Sequence, residues 1–141
     1  MFEISKANDI AILHLYGEIS LLEMQKVQEL IYSLKKHNHN KILIDLANVD
    51  HLHFEAVKRW AMEAMELREK NGDLKIVFPN DQARKMMTFT GADQYLKDYS
   101  NVAEALLSFL KTHQEIPSVE PANGEAGGPP IKGSKPEVWL N

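Results

Sequence analysis

The segment Lys41–Trp60, KILIDLANVDHLHFEAVKRW, decides how the rest of the chain is read. Its first part, KILIDLANV, is apolar nearly throughout. A strand covered on one face alternates apolar and polar residues; a strand covered on both faces does not. The segment therefore predicts a central strand in a sheet flanked by helices. After it, DHLH reads as a loop and Phe54 to about Lys70 as a helix. Val57, Trp60, Ala61, Ala64 and Leu67 recur at helical spacing and form its inner face.

The same pattern extends to both sides. Upstream, MFEISK and IAILHLYG read as two strands joined by a turn at AND, because Asn and Asp tolerate turn geometry. Ser20 is a helix cap and Glu23, three residues on, completes a capping-box pattern. The helix that follows places Met24, Val27, Leu30, Ile31 and Leu34 in one stripe, with Lys35, Lys36 and His37 at its end. Downstream, Asn71–Gly72 stops the second helix, and DLKIVFP is another apolar strand. A short helix follows with Asp81 near its start and Ala83, Met86 and Met87 inward. Gly91 is a turn, a short strand starts at Tyr95, and a last helix buries Val102, Ala103, Leu106, Phe109 and Leu110. After the initial hairpin, strands and helices alternate, which implies a mainly parallel sheet with about four helices. Residues 1–113 form this domain.

Residues 114–141 differ. They hold five of the chain's six prolines and four of its seven glycines, too little apolar surface to offset the entropy of ordering. They read as a disordered tail. Val138, Trp139 and Leu140 near its end form an apolar cluster, either inert or a short motif for another protein.

Composition sets limits on function. The formal net charge is −4, which gives no electrostatic footprint for nucleic acid. Cysteine is absent, so disulfides, thiolate zinc sites and cysteine nucleophiles are excluded, as suits a reducing compartment. The start lacks the pattern of a signal peptide, and no apolar run approaches the roughly 18 residues of a membrane span. A cytoplasmic protein without direct membrane insertion is expected.

Candidate chemistry is sparse. His51, His53 and Glu55 alternate, and His and carboxylate are zinc ligands. A metal site needs convergent ligands and a supporting shell, however, and Glu55 in a first helical turn is accounted for by the helix dipole. His14, within a strand, reads as a structural histidine. Asp45, near the carboxyl end of the central strand, either does chemistry or accepts backbone amides. Nucleophile–base chemistry needs two such groups in register. No phosphate loop, dinucleotide fingerprint or nucleophile elbow is present. No metal, cofactor or catalytic residue is assigned, and enzyme activity is not expected.

From Met1 to about His113 the chain resembles the STAS family, which includes bacterial anti-sigma factor antagonists. GEIS at Gly17–Ser20 is similar to the family's Gly-Glu-Leu-Asp segment, and IDLANV at Ile44–Val49 to its central strand. Asn71–Gly72 stands at its Gly-Gly helix end, and Thr90–Ala92 at its Ser-Gly-Leu turn. The resemblance implies a STAS-like α/β fold and a non-catalytic role in protein–protein interaction. Its Asp-Ser-Ser-Gly switch, phosphorylated by a kinase-like anti-sigma factor, falls on His53, Phe54, Glu55 and Ala56. All four positions differ, so serine phosphorylation of the family's usual kind is not expected.

Two readings of that change remain open. Glu55 supplies one permanent charge and locks a binding state, or Phe54 turns the surface toward a different partner by apolar contact. The second explains four changes better than mimicry does. The expected partner surface is His51, His53, Phe54, Glu55 and Lys58, with Phe54 as anchor and Glu55 and Lys58 as charged rim. The partner is an anti-sigma factor or another regulatory or transport subunit. The alternatives are an accessory subunit of a membrane transport ATPase, or a metal protein or enzyme using His51, His53 and Asp45.

Overall fold

Ile42, Leu43 and Ile44 are buried in succession, as a strand covered on both faces requires. The computed structural model describes residues 1–78 and 81–118, with side chains except at 82, 83 and 111–118. Its strands are β1 (Phe2–Ala7), β2 (Ile10–Glu18), β3 (Lys41–His51), β4 (Asp73–Val77) and β5 (Lys97–Tyr99). Its helices are α1 (Leu21–Lys36), α2 (Phe54–Arg68), α3 (Asp81–Thr90) and α4 (Val102–Ser118). The sheet order is β1-β2-β3-β4-β5. β1 runs antiparallel to β2, and the remaining pairs are parallel. This is the mixed, mainly parallel α/β sheet that the order of elements implies.

Two compact units divide the chain, Met1–Leu106 and a second from Leu107 onward. The first contains the whole sheet and α1 to α3. Its core joins Leu13 and Leu15 of β2, Ile42, Ile44 and Leu46 of β3, and Leu74 and Ile76 of β4 to the helices. Val27 and Ile31 of α1 and all five inner-face residues expected on α2 belong to this cluster. On the opposite sheet face Ile12, Leu43 and Val77 are also buried. Lys75 lies there too, with its ammonium 5.5 Å from the Tyr99 ring centroid. Burial lowers the pKa of that ammonium, because low-dielectric surroundings disfavour the charged form.

Local signals work largely as their chemistry dictates. The Ser20 hydroxyl accepts a hydrogen bond from the Glu23 amide at 3.2 Å. The reciprocal half of the capping box is not made, since the Glu23 carboxylate meets the Met1 ammonium instead. At the end of α2, Asn71 takes φ 63°. The Gly72 amide then donates to the Leu67 carbonyl at 2.8 Å, one of the bonds that close a helix C-terminus.

The structure corrects some boundaries. β3 continues past Val49 to His51, because Glu18 of β2 still pairs with His51. His51 is thus a strand residue rather than a loop residue. β5 starts at Lys97, not Tyr95, since the amides of Tyr95 and Leu96 are used in a tight turn on the Ala92 carbonyl. On α4, Ala103 and Leu110 are exposed, while Ala105 and Phe109, one helical turn apart, are buried. Residues 114–118, which composition assigns to the tail, lie within α4. Val138, Trp139 and Leu140 lie outside the described residues.

Two register shifts mark β3. His14 pairs with Asp45, but Tyr16 pairs with Asn48; Gly17 pairs with Val49, but Glu18 pairs with His51. Each shift gives β3 one residue more than β2, which is a bulge. Such bulges bend a strand and re-aim its side chains, here just before α2.

Gly72 is fixed by close approach. A Cβ there would stand 2.0 Å from the Asn40 carbonyl oxygen, which accepts the Asp73 amide at 3.0 Å. The clash falls on backbone that starts both β3 and β4, so no side chain can swing aside. Gly72→Ala is expected to cost at least about 2 kcal/mol, read as a lower midpoint in denaturant titration. An unchanged midpoint would show that the Asn40 backbone yields freely.

Candidate functional site

α2 begins where the bulged β3 ends. His53 is its N-cap residue, with extended backbone and no side-chain capping bond. Ala56, Val57 and Trp60 are buried, which fixes the rotation of the helix and turns Phe54, Glu55 and Lys58 outward. Phe54 is 49% exposed. The Lys58 ammonium lies 5.9 Å from its ring centroid and 4.0 Å from the Glu55 carboxylate. One cation therefore faces both an aromatic ring and an acid on consecutive residues, by cation–π attraction and an i,i+3 pair.

A cavity of about 630 Å³ lies between α1 and α2. Leu21, Met24 and Met62 supply its apolar lining, and Glu55, Lys58 and Arg59 its polar side. Leu21 is 62% exposed and Met62 58% exposed, and Leu22 and Met65 nearby are also exposed. This apolar surface was not singled out among the expected site residues. The signal was present, because Leu21, Leu22, Met62 and Met65 are apolar residues that fall outside the inner stripes of their helices. What periodicity alone does not reveal is that Leu21 and Met62 line one groove.

The two helices are tied together by ion pairs outside the groove lining. The Lys35 ammonium donates to Glu63 Oε1 and Glu66 Oε1, each at 2.6 Å, and Gln28 Nε2 donates to Glu63 Oε2 at 3.2 Å. Partial burial pulls the Lys35 pKa down, but the hydrogen bonds to Glu63 and Glu66 outweigh it, and the net shift is upward. The Lys35 hydrogen bond holds the Glu66 carboxyl below its usual range.

His51 and His53 are exposed and line a smaller depression of about 340 Å³ with Glu18 and Ser20. Asp45 is not part of it. One Asp45 oxygen lies 2.9 Å from His14 Nδ1, and the other accepts the Ala47 amide at 3.1 Å. Asp45 thus accepts a backbone amide beside the register shift and meets a histidine on the neighbouring strand. Among the described residues no group of three or more His, Cys, Asp or Glu is placed to hold a metal ion. Nor is any described helix long and apolar enough to cross a membrane.

The STAS domain family model matches residues 1–105, and the chain belongs to that family. No curated protein matches the chain. A solved structure from Thermotoga maritima, described as a candidate anti-sigma factor antagonist, is similar at 20% identity and TM-score 0.69, over 77% of this chain and 94% of that one. An anti-sigma factor antagonist from Mycobacterium paratuberculosis is similar at 19% identity and TM-score 0.69, over 78% and 93% of the two chains. The phosphorylated form of the Bacillus cell fate determinant SpoIIAA is similar at 17% identity and TM-score 0.61, over 75% and 96%. At these identities the likeness is one of fold.

Replacing Lys35 by Met removes both short hydrogen bonds and leaves the half-buried Glu63 carboxylate, 13% exposed, without its cation. Lys35→Met is expected to cost about 2 kcal/mol, a fall in melting temperature of roughly 8 °C or more. The stability gap between wild type and variant also depends on pH. Glu66 has a depressed pKa, so its share is present at neutral pH and lost as acid titrates it below the usual carboxylate range. Lys35 has a raised pKa, so its share is lost only above the usual lysine range. A gap that stays constant from acid to alkali would remove these pairs from the account.

Proposed function

We propose that the chain is a protein–protein interaction domain that works in the manner of an anti-sigma factor antagonist without a serine switch. The observation that carries this reading is the start of α2. The switch positions hold His53, Phe54, Glu55 and Ala56, none with a hydroxyl, and Phe54 stands half exposed there. A phosphate at a helix start is tolerated by free amides and adds about two negative charges to a binding surface. Glu55 carries one fixed charge, so it cannot reproduce that change. An apolar anchor beside an apolar groove instead favours recognition by burial.

In this reading Phe54 is the anchor, and Glu55 and Lys58 set orientation at the rim. His51 and His53 flank the contact, while Leu21 and Met62 extend it. The surface binds and does no chemistry. The partner is a cytoplasmic protein, an anti-sigma factor of the kinase-like type in the first instance. The tail residues Val138, Trp139 and Leu140 offer a second, short contact to a partner.

Affinity capture from native cells, followed by mass spectrometry, identifies the partner. An anti-sigma factor supports this reading, whereas a transport ATPase subunit would assign the domain to that assembly instead. Phe54→Asp is expected to weaken binding of the captured partner by about 2 kcal/mol, roughly 30-fold. Equal binding of wild type and variant would show that Phe54 is not the anchor. Incubation with the captured kinase and ATP is expected to leave positions 53–56 unphosphorylated; phosphate at Ser20 or Thr90 would mean that the switch has moved.

A further inference from the structure

Three strands bring together side chains that the interaction surface does not use. The parallel register sets His14 of β2 directly beside Asp45 of β3. On the other side, the antiparallel register sets Ser5 of β1 beside Ile12, one alternation from His14 and on the same face. Ser5 Oγ lies 3.0 Å from His14 Nε2, and His14 Nδ1 lies 2.9 Å from Asp45 Oδ2. The Ala47 amide fixes the second Asp45 oxygen. Glu3, directly across from His14, takes the Tyr16 hydroxyl at 3.3 Å. These residues alternate with Leu13, Leu15, Ile44 and Leu46, which belong to the core with α1 and α2. The chain of hydrogen bonds therefore lies on the sheet face away from the α1–α2 groove.

Chemistry assigns the protons. An ionised Asp45 only accepts, so Nδ1 of a neutral His14 carries the hydrogen and Nε2 carries the lone pair. The Ser5 hydroxyl then donates to Nε2. A nucleophile bonded to a base that is itself oriented by a third group is the arrangement of an activated serine. Access follows the same order: Ser5 is exposed, while the His14 and Asp45 side chains are 27% and 13% exposed.

We propose that Ser5 is a covalent acceptor site for acyl groups, activated by His14 and positioned by Asp45. The donor class is an activated ester or thioester. Ser5 Oγ attacks the acyl carbon as its proton passes to His14 Nε2. The Oγ–C bond forms, the bond from carbon to the leaving group breaks with its electron pair, and His14 returns the proton to the leaving alkoxide or thiolate. The product is an O-acyl serine at the exposed edge strand β1. This is a modification of the chain itself, independent of the partner reading. General-base assistance of this kind contributes about 10²–10⁴-fold, and the site asks for no more.

The test is reaction of the full chain with p-nitrophenyl acetate and, separately, with a fluorophosphonate, with adducts mapped by peptide mass spectrometry. Ser100, also exposed, is the internal reference, because its hydroxyl neighbours the Arg84 guanidinium rather than a base. Ser5 is expected to react about 100-fold faster than Ser100. His14→Ala is expected to bring Ser5 to the Ser100 rate, with His14→Gln serving if the alanine variant does not fold. Asp45→Asn is expected to slow Ser5, because its amide can donate to Nδ1 and force the wrong tautomer, and Asp45→Glu to restore part of the rate. Reaction of Ser5 no faster than Ser100, or at an undiminished rate in a folded His14 variant, overturns the proposal. Partner binding by Ser5→Ala is expected to equal wild type, so the two readings fail separately.

Discussion

Everything in this domain is arranged around one constraint: β3 must be covered on both faces. Ile42, Leu43, Ile44 and Leu46 are each 0% exposed. Burying four such side chains contributes on the order of 10 kcal/mol, comparable with the whole net stability of a small domain. The strand is therefore central by necessity, with β2 and β4 completing its backbone hydrogen bonds. α1 and α2 cover one face because their apolar stripes have nowhere better to go. The start of α2 inherits its position from that arrangement, since the chain leaves the covered sheet at the carboxyl end of β3.

The bulges of β3 change how the end of a packing element is presented. An extra residue locally interrupts the ladder between β2 and β3. Asp45 satisfies the amide of Ala47, and the same carboxylate reaches His14. A local defect of the sheet thereby organises a polar chain across three strands. The second bulge carries the strand two residues farther than its apolar run, so His51 ends the sheet and His53 starts the helix. The histidines sit near each other because of this geometry.

In the proposed reading, the start of α2 recognises a partner by a means other than phosphorylation. A phosphorylatable serine at a helix start gives a reversible change of charge. An aromatic residue there gives constant apolar area, and Lys58 beneath its ring and beside Glu55 limits how that area is presented. Next to it the groove between α1 and α2 adds thioether and leucine side chains, which suit adaptable contacts. The Lys35 bridge to Glu63 and Glu66 holds the helices that form the groove, so its shape depends on ion pairs distant from the contact itself.

Much of this was legible in the chain itself. Helical spacing identified five inner residues of α2, missing only Ala56 of those buried, and the unbroken run of β3 announced a doubly covered strand, because periodicity is a local property. The order of strands and helices implied the sheet type, and the resemblance at GEIS and IDLANV pointed to the family. Boundaries were less legible where backbone bonds decide them, as at His51 and Tyr95. Two features came only from tertiary structure. The groove depends on the rotation of α1 relative to α2, which brings Leu21 opposite Met62. The Ser5–His14–Asp45 chain depends on strand register, which joins residues nine and thirty-one positions apart. Sequence names those residue types but carries no periodic signal for their meeting, since a shift of one residue would turn each to the other face of the sheet.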